Sequence, residues 1–117
     1  NDHVLNNYSY SLALRKENLE LARKMSTKLV KRNPNNPNYL DTHAWVLYML
    51  EDYPQARKVI EKAVQNEASG TIIEHYGDIL YQLGDIDGAV RQWQRAKGMD
   101  ESSELIDKKI ADRKLYE

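Results

Sequence analysis

The chain has no cysteine. Disulfides, thiolate nucleophiles and cysteine-ligated zinc are thereby excluded, while the redox compartment stays open. It has no phenylalanine, so its aromatic surface rests on eight Tyr and two Trp. Five Gly and three Pro in 117 residues are too few for the many turns of an all-β sandwich. No run approaches the roughly 20 apolar residues that cross a bilayer, and no direct membrane insertion is expected. The sequence opens at Asn1 without a signal-peptide pattern, as expected of a fragment or a processed form. Charge of one sign is lacking too, with 17 Lys and Arg against 18 Asp and Glu. Residues 1–36 hold a basic excess and residues 37–103 an acidic one. A nucleic-acid binder shows a strong basic balance; the cluster Arg15, Lys16, Arg23, Lys24, Lys28, Lys31 and Arg32 is modest, and no nucleic-acid partner is expected.

What the chain does have is periodicity. Apolar residues make up 41 % of it, enough for one core in one domain. Asp52-Tyr53-Pro54-Gln55-Ala56 and Asp85-Ile86-Asp87-Gly88-Ala89 align without a gap, 33 residues apart. A helical run precedes each (39–50 and 72–83) and another follows (54–65 and 88–99). Leu40, Ala44, Leu47 and Leu50 fall at helical spacing, as do Ile73, Gly77, Leu80 and Leu83. A third pair of runs, 4–15 and 19–31, comes first, with one extra residue in its turn. Small residues recur where paired helices must approach closely: Ser9, Ala44 and Gly77, then Ala22, Ala56 and Ala89. Asn36-Pro37 and Asp52 with Pro54 read as helix starts, and Asp85 or Asp87 as the cap of the equivalent third helix. Gly70 and Gly84 read as helix ends. Ser102 and Ser103 open a last helix from Glu104 to about Leu115, expected to cover the open end of the stack.

These residues resemble the tetratricopeptide repeat (TPR), a helix–turn–helix unit of roughly 34 residues. The third unit matches through Ile73, Tyr76, Gly77, Leu80, Gly84-Asp85, Ala89, Trp93 and Ala96. The second matches through Leu40, His43, Ala44, Leu47, Asp52-Tyr53, Ala56, Ile60 and Ala63. The first is the most degenerate, through Leu5, Tyr8, Ser9, Leu12, Ala22, Ser26, Leu29 and Pro34. The resemblance implies an all-α, right-handed α-solenoid of three helical hairpins plus a C-terminal capping helix. Repeat one covers about 2–36, repeat two about 37–69, repeat three about 70–103 and the cap about 104–117. The run 36–48 is similar to a segment of bacterial TPR proteins, several of them exported to the cell envelope.

In the resembling family, peptides or partner helices bind along the concave face made by the first helix of each hairpin. Projected onto that geometry, the groove residues are Asn6, Tyr10 and Ala13, then Asp41, Trp45 and Tyr48, then Glu74, Asp78 and Tyr81. The aromatics are natural interface anchors; Trp45 and Tyr48 also suit packing between repeats. Asp41, Glu74 and Asp78 favour a partner bearing Lys or Arg, or else solvate a helix face. The carboxylate-holding pattern of the chaperone-binding TPRs is missing, since Asn6, Tyr10, Thr42, Thr71 and His75 stand at its positions. His3, His43 and His75 lack the spacing of a zinc site, and no acid, base and nucleophile come together, so neither cofactor nor catalysis is expected. Tyr76, Trp93 and Ala96 read as core between the second and third units. The expected function is a protein-interaction scaffold. The alternative is a structural module that associates with itself or with further repeats, through apolar residues such as Leu115 and Tyr116.

Overall fold

A computed structural model describes residues 1–99 and 101–117. The described residues form seven helices: α1 (Asp2–Arg15), α2 (Leu19–Arg32), α3 (Pro37–Met49), α4 (Tyr53–Val64), α5 (Gly70–Gln82), α6 (Ile86–Lys97) and α7 (Ile106–Asp112). They pair as three hairpins, and each first helix also packs on the second helix of the hairpin before it. This is the helical-hairpin solenoid expected from the periodicity, 40 × 26 × 23 Å in extent.

The three hairpins turn by one device. The chain turns through a left-handed residue, Lys16 (φ 55°), Glu51 (φ 63°) or Gly84 (φ 89°). The amide after it reaches back to the carbonyl five residues earlier: Glu17 to Leu12 at 3.0 Å, Asp52 to Leu47 at 2.9 Å, Asp85 to Leu80 at 3.0 Å. That pairing satisfies carbonyls the helix end leaves open. Asp52 and Asp85 then cap the next helix by accepting from Gln55 N and Gly88 N. Glu17 is the extra residue of the first turn. With it inserted, Asn18 takes a left-handed conformation and makes no side-chain cap. Asn36 accepts from the amides of Asn38 and Tyr39, ahead of Pro37 at the first helical position.

Core formation follows the small positions. Ser9, Ala22, Ala44, Ala56 and Ala89 are all fully buried. At Gly77 a Cβ would stand 2.5 Å from Trp93 Cδ1, so the indole lies directly on the α5 backbone. One apolar cluster joins the first two hairpins, reaching Ile72 and Ile79 of α5. A second fills the third hairpin around Ile73, Leu80, Trp93 and Ala96, with Ile106 of α7 laid against it. Tyr76 touches both clusters, whereas Trp93 and Ala96 belong to the third hairpin and its cover.

Two expected boundaries move. Gly70 opens α5 behind the cap Ser69 instead of closing a helix; a Cβ there would collide with the Glu101 carbonyl. The last helix begins at Ile106 and stops at Asp112, shorter than the run Glu104–Leu115. Ser103 is not its cap: its amide and hydroxyl donate to Glu74 of α5, and its hydroxyl oxygen accepts only from Leu105 N, ahead of the helix.

Stacking also sorts charge by layer. The second helices α2, α4 and α6 carry eleven Lys and Arg against three Asp and Glu. The first helices α1, α3 and α5 carry one against four.

Candidate functional site

The concave face begins with the joints between first helices. Trp45 of α3 is held between two rings, Tyr48 at 4.3 Å and 6° and His75 of α5 at 4.1 Å and 24°. His75 Nδ1 donates to Asp41 Oδ1 of α3 at 2.8 Å. One repeat on, Lys109 of α7 reaches the acids of α5. Its Nζ donates to Glu74 Oε2 at 2.7 Å and to Asp78 Oδ1 at 2.9 Å. Asp78 Oδ1 also accepts from Trp93 Nε1 at 3.0 Å, and Glu74 accepts from Ser103 N at 2.7 Å. Lys109 stands 34 residues after His75, as Glu74 stands 33 after Asp41, so both joints place a base on the acid of the helix before.

Burial makes these charges interdependent. Asp41, Glu74, Asp78 and Lys109 are all nine-tenths buried or more. Burial pushes the Asp78 carboxyl up to about 6, against the pull of the Lys109 ammonium. Burial pushes the Glu74 carboxyl up too, but Lys109 and the two Ser103 donors outweigh it and hold it below the usual value. Burial opposes a charged His75, yet the Asp41 carboxylate, backed by Asp78 and Glu74, raises its pKa. His43 meets only the Ser26 hydroxyl, at 2.7 Å, and burial lowers its pKa.

Above these joints lies a channel of three cavities. The first, about 290 Å³, is polar and lined by Asn6, Tyr10, Asn38, Asp41, Thr71 and Glu101 among others. The second, about 400 Å³, shares Thr71 with it and is lined by Leu14, Trp45, Met49, Glu74 and Asp78, with Lys109 and Tyr116 on its far side. The third, about 420 Å³, shares Met49 and Glu117 with the second and adds Tyr48 and Tyr53. Glu117 accepts from the Tyr48 hydroxyl at 3.2 Å, so the segment after α7 returns along this face. Two polar atoms here are buried without a partner, Asn6 Oδ1 and Trp45 Nε1.

Seven of the nine expected groove residues line this channel. Tyr81 lies outside the three cavities and packs towards Trp93, ring centroids 6.0 Å apart; Ala13 is fully buried. The expected open acids are corrected. Asp41, Glu74 and Asp78 do not await an outside cation, because His75 and Lys109 of the same chain already sit on them. Leu115 and Tyr116 are half-buried, Leu115 against the apolar cluster of the third hairpin. The sequence reading missed Lys109, Ser103, Met49 and Glu117. The 34-residue interval from His75 to Lys109 was the signal for the first; Ser103, Met49 and Glu117 carried none.

No protein-family model matches the chain, and comparison with curated protein sequences finds no match. Solved structures do match. The C-terminal part of a TPR repeat-containing protein from Cytophaga hutchinsonii superposes with TM-score 0.74 at 26 % identity, over 92 % of this chain and 43 % of that one. The first TPR of Spaghetti (RPAP3), bound to the HSP90 peptide SRMEEVD, superposes with TM-score 0.84 at 16 % identity, over 96 % of this chain and 89 % of that one. PcrH in complex with the chaperone-binding region of PopD gives 0.75 at 17 % identity, over 95 % and 84 %. With three hairpins turned by one device, small residues at each close approach and these superpositions, the chain has the fold and repeat pattern of tetratricopeptide-repeat domains.

Proposed function

We propose that this chain is a protein-interaction module that takes an extended peptide along its concave face. The observation behind this reading is the row of three cavities, each sharing a lining residue with the next. Structures of the same fold hold an HSP90 peptide and a region of PopD, and a likeness in fold alone does not carry those ligands over. The peptide enters at the polar end, against Asn6 and Tyr10. Glu101 lines that end, so one Lys or Arg of the partner belongs beside it rather than at the already paired Asp41, Glu74 and Asp78. Further along, the peptide meets Trp45 and Tyr48, whose broad rings give contact area at little entropy cost. Residues 113–117 lie over this stretch and must yield to a longer ligand.

Peptide display on the immobilised domain tests the reading. Enriched peptides should lose at least tenfold in affinity for Tyr10→Ala, with helical circular dichroism unchanged. Peptides that bind that variant and Asn6→Ala as well as the original would overturn it.

A further inference from the structure

The N-terminal side of the stack repeats a surface that the molecule covers elsewhere. At the first joint, His43 and Leu47 of α3 and Gln55 and Val59 of α4 line a cleft closed by Arg23 and Thr27 of α2. The His43 ring meets Ser26 of α2 at 2.7 Å. At the next joint, Tyr76 of α5 donates its hydroxyl to Glu61 of α4 at 2.6 Å. Each first helix thus sets one polar ring against the second helix before it. That ring immediately precedes the small residue, as His43 precedes Ala44 and Tyr76 precedes Gly77. In the first unit the position belongs to Tyr8, before Ser9. By the same register, Leu21 and Met25 around Ala22 stand where Gln55 and Val59 stand around Ala56. Among the described residues nothing covers this surface. Tyr8 is 48 % exposed and Val4, one turn earlier, 61 %; Leu21 and Met25 line an open cavity of about 500 Å³.

Two observations say what fits there. Lys24, Lys28 and Lys31 line the same cavity and make no ion pair among the described residues. The neighbouring acid, Glu20, is already taken by Arg23 at 2.9 Å. At the internal joint with the same ring chemistry, the tyrosine's partner is a carboxylate, Glu61. We infer that this side is a second docking surface, separate from the concave channel, and that its occupant is an acidic amphipathic helix of a partner protein. Its apolar stripe lies on Val4, Leu21 and the adaptable Met25. One Glu accepts from the Tyr8 hydroxyl, and further acids face the three lysines. A second copy of this chain fits poorly, because its far end is covered by α7, which holds as many Lys as Asp. Nucleic acid fits poorly as well, because only the three lysines could meet its phosphates and the apolar floor of Leu21 and Met25 would stay uncovered.

The probe is a designed peptide of about four helical turns, with Leu at positions i, i+3, i+4 and i+7 and Glu at most others. Its twin carries Lys for Glu. Titrated into isotope-labelled domain, the Glu peptide should shift the amides of Val4, Tyr8, Leu21 and Met25. Lys24→Glu/Lys28→Glu should weaken it at least tenfold. Lys58→Glu/Lys62→Glu, the same charge change on α4, should leave affinity within twofold. Met25→Asp should weaken binding with circular dichroism unchanged. Equal binding of the Lys twin, shifts confined to other surfaces, or equal losses in the two double variants would overturn the inference. So would single-stranded DNA binding more tightly than the Glu peptide, or a dimer that Lys24→Glu/Lys28→Glu dissolves.

Discussion

At the residue scale, three equivalent positions solve one problem with unequal materials. Lys16, Glu51 and Gly84 all take the left-handed conformation that closes a hairpin's first helix. Only Gly84 has no Cβ to crowd the following carbonyl, and a side chain in that conformation costs roughly 1–2 kcal/mol. Glu51→Gly is therefore expected to stabilise the domain by about 1 kcal/mol, after the extra freedom of an unfolded glycine is subtracted. A raised urea midpoint checks it; an unchanged or lowered one contradicts it. The same scale holds the most exacting side chain, Lys109. Replacing it by Met leaves Glu74 and Asp78 buried without their cation, at a cost of about 3–5 kcal/mol. Adding Glu74→Gln and Asp78→Asn should restore part of that loss, and a triple variant no more stable than the single one contradicts this account. Trp93→Ala, which empties the site over Gly77, should cost a similar 3–5 kcal/mol.

At the scale of elements, the joint between α3 and α5 makes stability depend on pH. His75 gains proton affinity only when folded, through Asp41. A histidine whose folded pKa lies above its unfolded value, about 6.5, stabilises fully below pH 6.5. That contribution is lost as pH rises through the folded value. Other groups contribute less in this window or with the opposite sign. His43 has the opposite sign: burial holds its folded pKa below the usual value, so it adds stability as the unfolded ring loses its proton at about pH 6.5. Asp78 finishes titrating from about 6, and Lys109 is raised further above the lysine range. Urea unfolding should show lower stability at pH 9 than at pH 6.5, and Asp41→Asn should shrink the difference; an undiminished fall in that variant contradicts the assignment. These elements were largely legible beforehand. The small residues at Ser9, Ala44 and Gly77 and the caps Asn36, Asp52 and Asp85 mark close approaches and helix starts, which depend on local spacing. The last helix was drawn too long because Ser102 and Ser103 look like caps. What Ser103 donates to lies 29 residues away on Glu74, and no local pattern reveals it.

At the scale of the molecule, two faces emerge from one alternation. Helices that alternate along the chain separate in space, so charge counted by repeat hides what charge counted by layer shows. The second helices are strongly basic and the first helices mildly acidic. Which residues face the channel was readable because period and face are properties of a helix. Whether Asp41, Glu74 and Asp78 stand open was not, since their partners His75 and Lys109 arrive from the next first helix in the stack. The channel that remains is shallow and partly lined by Tyr116 and Glu117. The most direct test of the central claim is amide mapping of a display-selected peptide on the isotope-labelled domain. The account predicts shifts running from Asn6 and Tyr10 through Thr71 to Trp45 and Tyr48, with residues 113–117 moving as the peptide displaces them. Shifts confined to α2, α4 and α6, with the first helices untouched, would contradict it.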